Sequence, residues 1–179
     1  MTIAQCLAVI DRLCSEDFPA ERSGSFGGSY GGPGGPGFHV VELQRSAGPA
    51  RGRYGGREEP DRFDVEPSEA EHSEAGHSEA EHSEAEQAEQ FEAEREALAR
   101  RLADRWGEPG WMSLDGVFLR VQQGDERIPE PWASLGSHMR NAQVWEAAGT
   151  GRWVALGISR LGEDQEFRLL AVITETDPP

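Results

Sequence analysis

Three histidines, His72, His77 and His82, recur at a fixed five-residue spacing within the repeat SEAEH, SEAGH, SEAEH, SEAEQ that fills residues 68–87. Imidazoles set among glutamates have metal-ligand chemistry, and histidine-rich tracts do bind metal ions. A site on a helix needs its ligands on one face, typically four residues apart as in H-E-x-x-H. A five-residue step turns the chain by about 140° on a helix of 3.6 residues per turn, so the three rings spiral around the axis. His72, His77 and His82 are the only metal candidates, their spacing works against them, and no cofactor is expected.

The other reactive side chains are scattered. Ser137-His138 has no G-x-S-x-G elbow around it and reads as a histidine at the start of a strand. Glu130, Glu146 and Glu166 are the residue type of an acid–base pair, but nothing in their spacing brings two of them together. Cys6 and Cys14 fall on one predicted helix, about 12 Å apart along its axis. That is too far for a disulfide, so they read as two buried thiols. The run GSFGGSYGGPGGPG at residues 24–37 holds eight glycines in fourteen positions. A phosphate-binding P-loop requires a lysine after its last glycine, and this chain has none. The run reads as a flexible linker.

Charge narrows the function classes. The net charge is −16, and all 17 basic residues are arginine. Such a balance argues against nucleic-acid binding, which needs a basic footprint, and against anionic membrane surfaces. Arg51, Arg53 and Arg57 lie among glycines, but Glu58, Glu59 and Asp61 follow and cancel them. No apolar run approaches the ~18 residues of a membrane-spanning helix. The opening MTIAQCLAVIDRLCSEDF lacks the basic start of a secretion signal, so a cytoplasmic protein is expected.

The elements that would position a site follow from periodicity. Residues 143–176 read as three antiparallel strands, with Leu169, Ala171 and Ile173 on one face of the last and Leu170 and Val172 on the other. That two-faced pattern marks a central strand. Ile3, Leu7, Ile10 and Cys14 form the stripe of an N-terminal helix over residues 2–14, capped by Thr2. A second helix is expected from Ala88 to Trp106, stopped by Gly107 and Pro109. Asp115-Gly116 reads as a hairpin turn leading into a strand through Val117, Leu119 and Val121. Residues 38–43 make one more strand candidate. All five tryptophans lie between residues 106 and 153, which places the core there. Between residues 66 and 96 stand twelve glutamates against one arginine, so the repeat is expected to be disordered or a fraying helix.

The expected fold is α+β: an antiparallel sheet of four to five strands with one or two helices on one face. Residues 1–19 form the docking helix, 20–87 a mostly disordered linker, 88–176 the folded core and 177–179 a loose tail. The expected function is a small acidic interaction module, an adaptor or an immunity-type inhibitor, with a basic protein as partner. Trp132, Glu130, Trp145 and Glu146 are its interaction candidates. The alternative is a small-ligand-binding protein or enzyme whose site lies on the sheet face that helices leave open, and a pocket would discriminate the two.

Overall fold

The structure, a computed structural model, describes residues 1–22, 34–46, 75–161 and 166–179, with residues 75–82 and 161 as backbone only. It is built on one six-stranded antiparallel sheet. The strands are β1 (Gly34–Gly35), β2 (Phe38–Arg45), β3 (Gly110–Ser113), β4 (Asn141–Ala147), β5 (Arg152–Leu161) and β6 (Glu166–Thr174). Their order across the sheet is β1-β2-β6-β5-β4-β3. The fold is α+β as expected, with one strand more than the upper expectation. Strands β4, β5 and β6 form the meander read from the sequence. Its first turn uses Gly149 and Gly151 at φ +79° and +65°, a region that costs glycine nothing.

The two-faced pattern of β6 is explained by its central place, flanked by β5 and β2. Leu169, Ala171 and Ile173 meet helices α1 (Ile3–Ser15) and α2 (Ala75–Trp106), where Ile10, Phe91, Leu98 and Leu102 complete one core. Helix α1 starts on Thr2 with a full capping box, since Thr2 Oγ1 accepts from the Gln5 N–H and Gln5 Oε1 accepts from the Thr2 N–H. A helix this short needs docking. Arg105 on α2 pairs with Asp11 at 2.7 Å, and the Arg152 guanidinium donates to the carbonyls of Leu13 and Glu16.

Three expectations are corrected. Helices cover both faces of the sheet. On the second face Leu170 and Val172 pack with Phe38, Val40, Trp132, Leu135 and Met139 under α3 (Asp115–Gln122) and α4 (Trp132–Leu135). The open face that the ligand-binding alternative needed is therefore filled.

The hairpin at Asp115-Gly116 is instead the first turn of α3. Leu114, Val117 and Val121 also stand at i, i+3 and i+7, and burying Leu114 and Val117 fully or nearly so selects that period over the alternation of two. Strand β3 already occupies the edge of β4, and its ladder ends where the Leu114 N–H donates to the Arg140 carbonyl.

Helix α2 begins at Ala75 rather than Ala88, so part of the repeat takes the helical one of the two alternatives expected for it and continues into the second helix. Glu84 meets Arg160 of β5 at 2.7 Å, which gives that polar stretch something to dock on. Residues 23–33 and 47–74, including most of the expected linker, lie outside the described residues. Among the described residues no helix is long and apolar enough to cross a membrane.

Candidate functional site: a tryptophan-lined cleft

The sequence candidates fall into separate surroundings. Trp132 is fully buried, with its indole N–H donating to the Thr176 carbonyl, so it locks the 128–135 loop and is no surface anchor. Glu130 accepts from the N–H and hydroxyl of Ser134 and meets Arg22 at 3.1 Å, so its carboxylate holds α4. Glu166 is paired with Arg168 at 3.1 Å, and Arg45 and Glu42 complete that ion network on the second face. Glu130, Glu146 and Glu166 thus do not converge. His138 is half-buried, and burial first, then nearby Arg168, lowers its pKa and favours the neutral ring. Cys6 and Cys14 are buried free thiols on α1. His72 lies outside the described residues, and His77 and His82 belong to the backbone-only part of α2. Among the described residues no three His, Cys, Asp or Glu side chains gather to hold a metal.

Trp145 and Glu146 do come together, in a cleft of about 790 Å³ at the end of the sheet where α2, β3 and β4 meet. Its wall holds Trp106, Trp111, Trp145 and Trp153, four of the five tryptophans in the chain. Each arrives by a different route. Trp106 is the last residue of α2, and Gly107 at φ +88° turns the chain away from the helix. Trp145 is buried, and its indole N–H donates to the Gly107 carbonyl at 3.0 Å, which ties β4 to the helix end. Trp153 faces Glu146 across the β4–β5 ladder. Trp111 is opposite Gln143, on the other face. Alternation along β4 places Trp145 and Glu146 on opposite faces, so the cleft wraps the end of the sheet.

Trp111 is 63% exposed, unusual for the largest apolar side chain. Its support is Arg95, whose guanidinium lies 5.2 Å from the ring centroid while donating to Gln143 Oε1 and Glu92. Arg105 stands in the same way over Trp106, at 5.4 Å. Among the described residues, Glu108 and Glu146 are the charged side chains that line the cleft, and no arginine lines it. Among the described residues neither carboxylate has an ion-pair partner. The wall therefore combines aromatic surface, two of whose rings already carry a guanidinium of the chain, with two carboxylates free of ion pairs among the described residues.

Of the residues that line this cleft, Trp145 and Glu146 are among the sequence candidates, and Trp106, Trp111, Trp153 and Glu108 are not. The tryptophan clustering was the available signal. It reads as a core because burial is the usual fate of the residue, whereas only Trp132 and Trp145 are buried. A second cavity, of about 690 Å³, is lined by Asp115, Phe118, His138, Arg140 and Arg160. Its charged residues are of both signs. No protein-family model matches the chain, and comparison with curated proteins and with solved structures gives no match.

Proposed function

We propose that this chain is an acidic protein-interaction module, an adaptor or an inhibitor, whose tryptophan cleft takes a basic segment of a partner protein. One observation carries the reading: among the described residues, four tryptophans and two carboxylates without an ion-pair partner line a single cleft, with Arg95 and Arg105 standing over only two of the four rings. Tryptophan is the strongest of the aromatic cation acceptors, at about 0.5–1 kcal/mol for an exposed contact and about 2 kcal/mol for a desolvated one. It is also among the residues that dominate binding energy at interfaces. The net charge of −16 adds long-range attraction for a basic partner, which speeds encounter and weakens with salt.

A labelled arginine-bearing peptide tests this directly, with binding followed by anisotropy. Trp111→Ala is expected to weaken binding about tenfold, the equivalent of one cation–π contact and its buried area. Glu146→Gln is expected to weaken it less and to reduce its salt dependence. An arginine peptide that binds the Trp111→Ala chain as well as the parent refutes the reading.

A second reading keeps the cleft and changes the ligand. A volume of about 790 Å³ is in the usual range for small-molecule sites, and a quaternary ammonium compound suits the same wall. Competition between tetramethylammonium and the peptide separates the two.

A further inference from the structure

A segment held in the cleft brings its own backbone, whose N–H and C=O groups need partners once water is displaced. The cleft has such partners along one side. Gly110, Trp111 and Met112, three of the four residues of β3, line it, and β3 ends the sheet. Antiparallel pairing turns the backbone groups of successive residues alternately toward the neighbouring strand and away from it. The Leu114 N–H donates to the Arg140 carbonyl at 2.8 Å, which sets the phase. Gly110, Met112 and Leu114 thus face β4, and the N–H and C=O groups of Trp111 and Ser113 point away from the sheet. Among the described residues nothing hydrogen-bonds to these outward groups, and both residues are exposed. The other edge of the sheet is no equivalent, since β1 is two residues long.

A strand added there would see two different faces. Trp111 and Met112 stand on opposite faces of β3, and alternation along β4 puts Ala142, Val144 and Glu146 on the Met112 side. Trp153, paired with Glu146, stands on that side too. The added strand would lie about 10 Å from β4, a span that arginine and glutamate side chains can bridge between them. Every second side chain therefore meets the face that holds Glu146, and the others lie beside Trp111.

We infer that the cleft takes its basic segment as an added β-strand, hydrogen-bonded to the free edge of β3, with basic residues at alternate positions on the Glu146 face. The inference rests on the proposal that the cleft takes a basic partner segment, and it adds the backbone conformation and residue pattern of that segment. Main-chain bonds to Trp111 and Ser113 supply affinity, and the alternation supplies selectivity. The partner's positive charge complements Glu108, Glu146 and the net charge of −16.

Four peptides and two chains test it. One peptide alternates arginine and valine, and a second has the same composition with the arginines in one block. Two more are the alternating peptide N-methylated either at its arginine amides or at its valine amides, of which only one set can face β3. The second chain carries Ser113→Pro, which removes an outward N–H and takes no bond from the β3–β4 ladder. Its urea midpoint checks that the fold is kept, and sedimentation gives the oligomeric state of both chains. The alternating peptide is expected to bind the parent about tenfold tighter than the block peptide. One methylated form should bind about tenfold weaker than the other, and Ser113→Pro should weaken the alternating peptide by a similar factor. Equal binding of the two methylated forms, or undiminished binding by a folded Ser113→Pro chain, overturns strand addition while leaving the basic-segment reading intact. Equal binding of the alternating and block peptides overturns the residue pattern. A parent dimer that Ser113→Pro turns into monomers puts a second copy of the chain on the edge and overturns the inference. Failure of all four peptides to bind the parent removes the reading on which it rests.

Discussion

Gly157 sits in the middle of β5, opposite Leu170, with no space beside it. A Cβ built there would lie 2.6 Å from Met139 Sδ and 2.9 Å from the Asn141 carbonyl oxygen. Sulfur at the end of a side chain can be pushed aside, although Met139 is itself 95% enclosed by its neighbours, being only 5% exposed. The carbonyl cannot move freely, because Asn141 opens β4 and is paired with Ser113 of β3. Overpacking a core typically costs about 1–3 kcal/mol, and a clash with ladder backbone belongs at the upper end. Removing a glycine from a strand returns about 0.5–1 kcal/mol of backbone entropy. Gly157→Ala is thus expected to destabilise by about 2 kcal/mol net. The assay is urea unfolding, read as a lower midpoint at unchanged slope. Gly116→Ala is the control: nothing stands within 4 Å of its Cβ, it lies inside α3, and it is expected to stabilise by about 0.5–1 kcal/mol. A Gly157→Ala chain as stable as the parent would sink the claim that this close approach fixes the residue.

Other expectations follow from buried polar groups. Arg95→Met keeps the hydrocarbon packing but leaves Gln143 Oε1 without its donor, and should lower stability by about 1–3 kcal/mol in the same urea assay. The Cys14 thiol is pushed up to about 11, chiefly by burial and then by Asp11. Its folded pKa lies above the unfolded value of 9.0, so its contribution is complete below pH 9.0 and is lost as pH rises toward 11. Stability measured across that window should fall less steeply in Cys14→Ala, and Cys14 should resist alkylation at neutral pH until the chain is unfolded.

How much was legible depended on whether one local period had a single interpretation. The 143–176 meander was readable because Gly149 and Gly151 mark its first turn and β6 carries apolar residues on both faces. Helix α1 was readable from Thr2 and its 3-4 stripe. Residues 114–121 support both periods, and the choice was made by β3, which claims the edge of β4 and leaves Leu114 and Val117 to be buried from above. For the repeat the sequence left disorder and a fraying helix both open, because no apolar stripe exists before Ala88; the Glu84–Arg160 contact depends on where β5 passes. The cleft was half legible. Trp145 and Glu146 were named, but Trp106, Trp111 and Trp153 meet them only through pairings set by three separate elements.

The place of β6 bears on how the chain reaches its fold during synthesis. It is the last strand of the sheet to be made, yet it lies between β2, made early, and β5. Until residues 166–174 emerge from the ribosome, both neighbours carry bare hydrogen-bonding edges. Leu43, Val154 and Leu156 also wait without the Leu169, Ala171 and Ile173 row that covers them. The β2 edge is therefore open to other strands from residue 45 until residue 166 is made, while the β5 edge waits only for the turn that follows it. A frameshift or stop codon ahead of residue 166 would yield an aggregation-prone product rather than a smaller working domain.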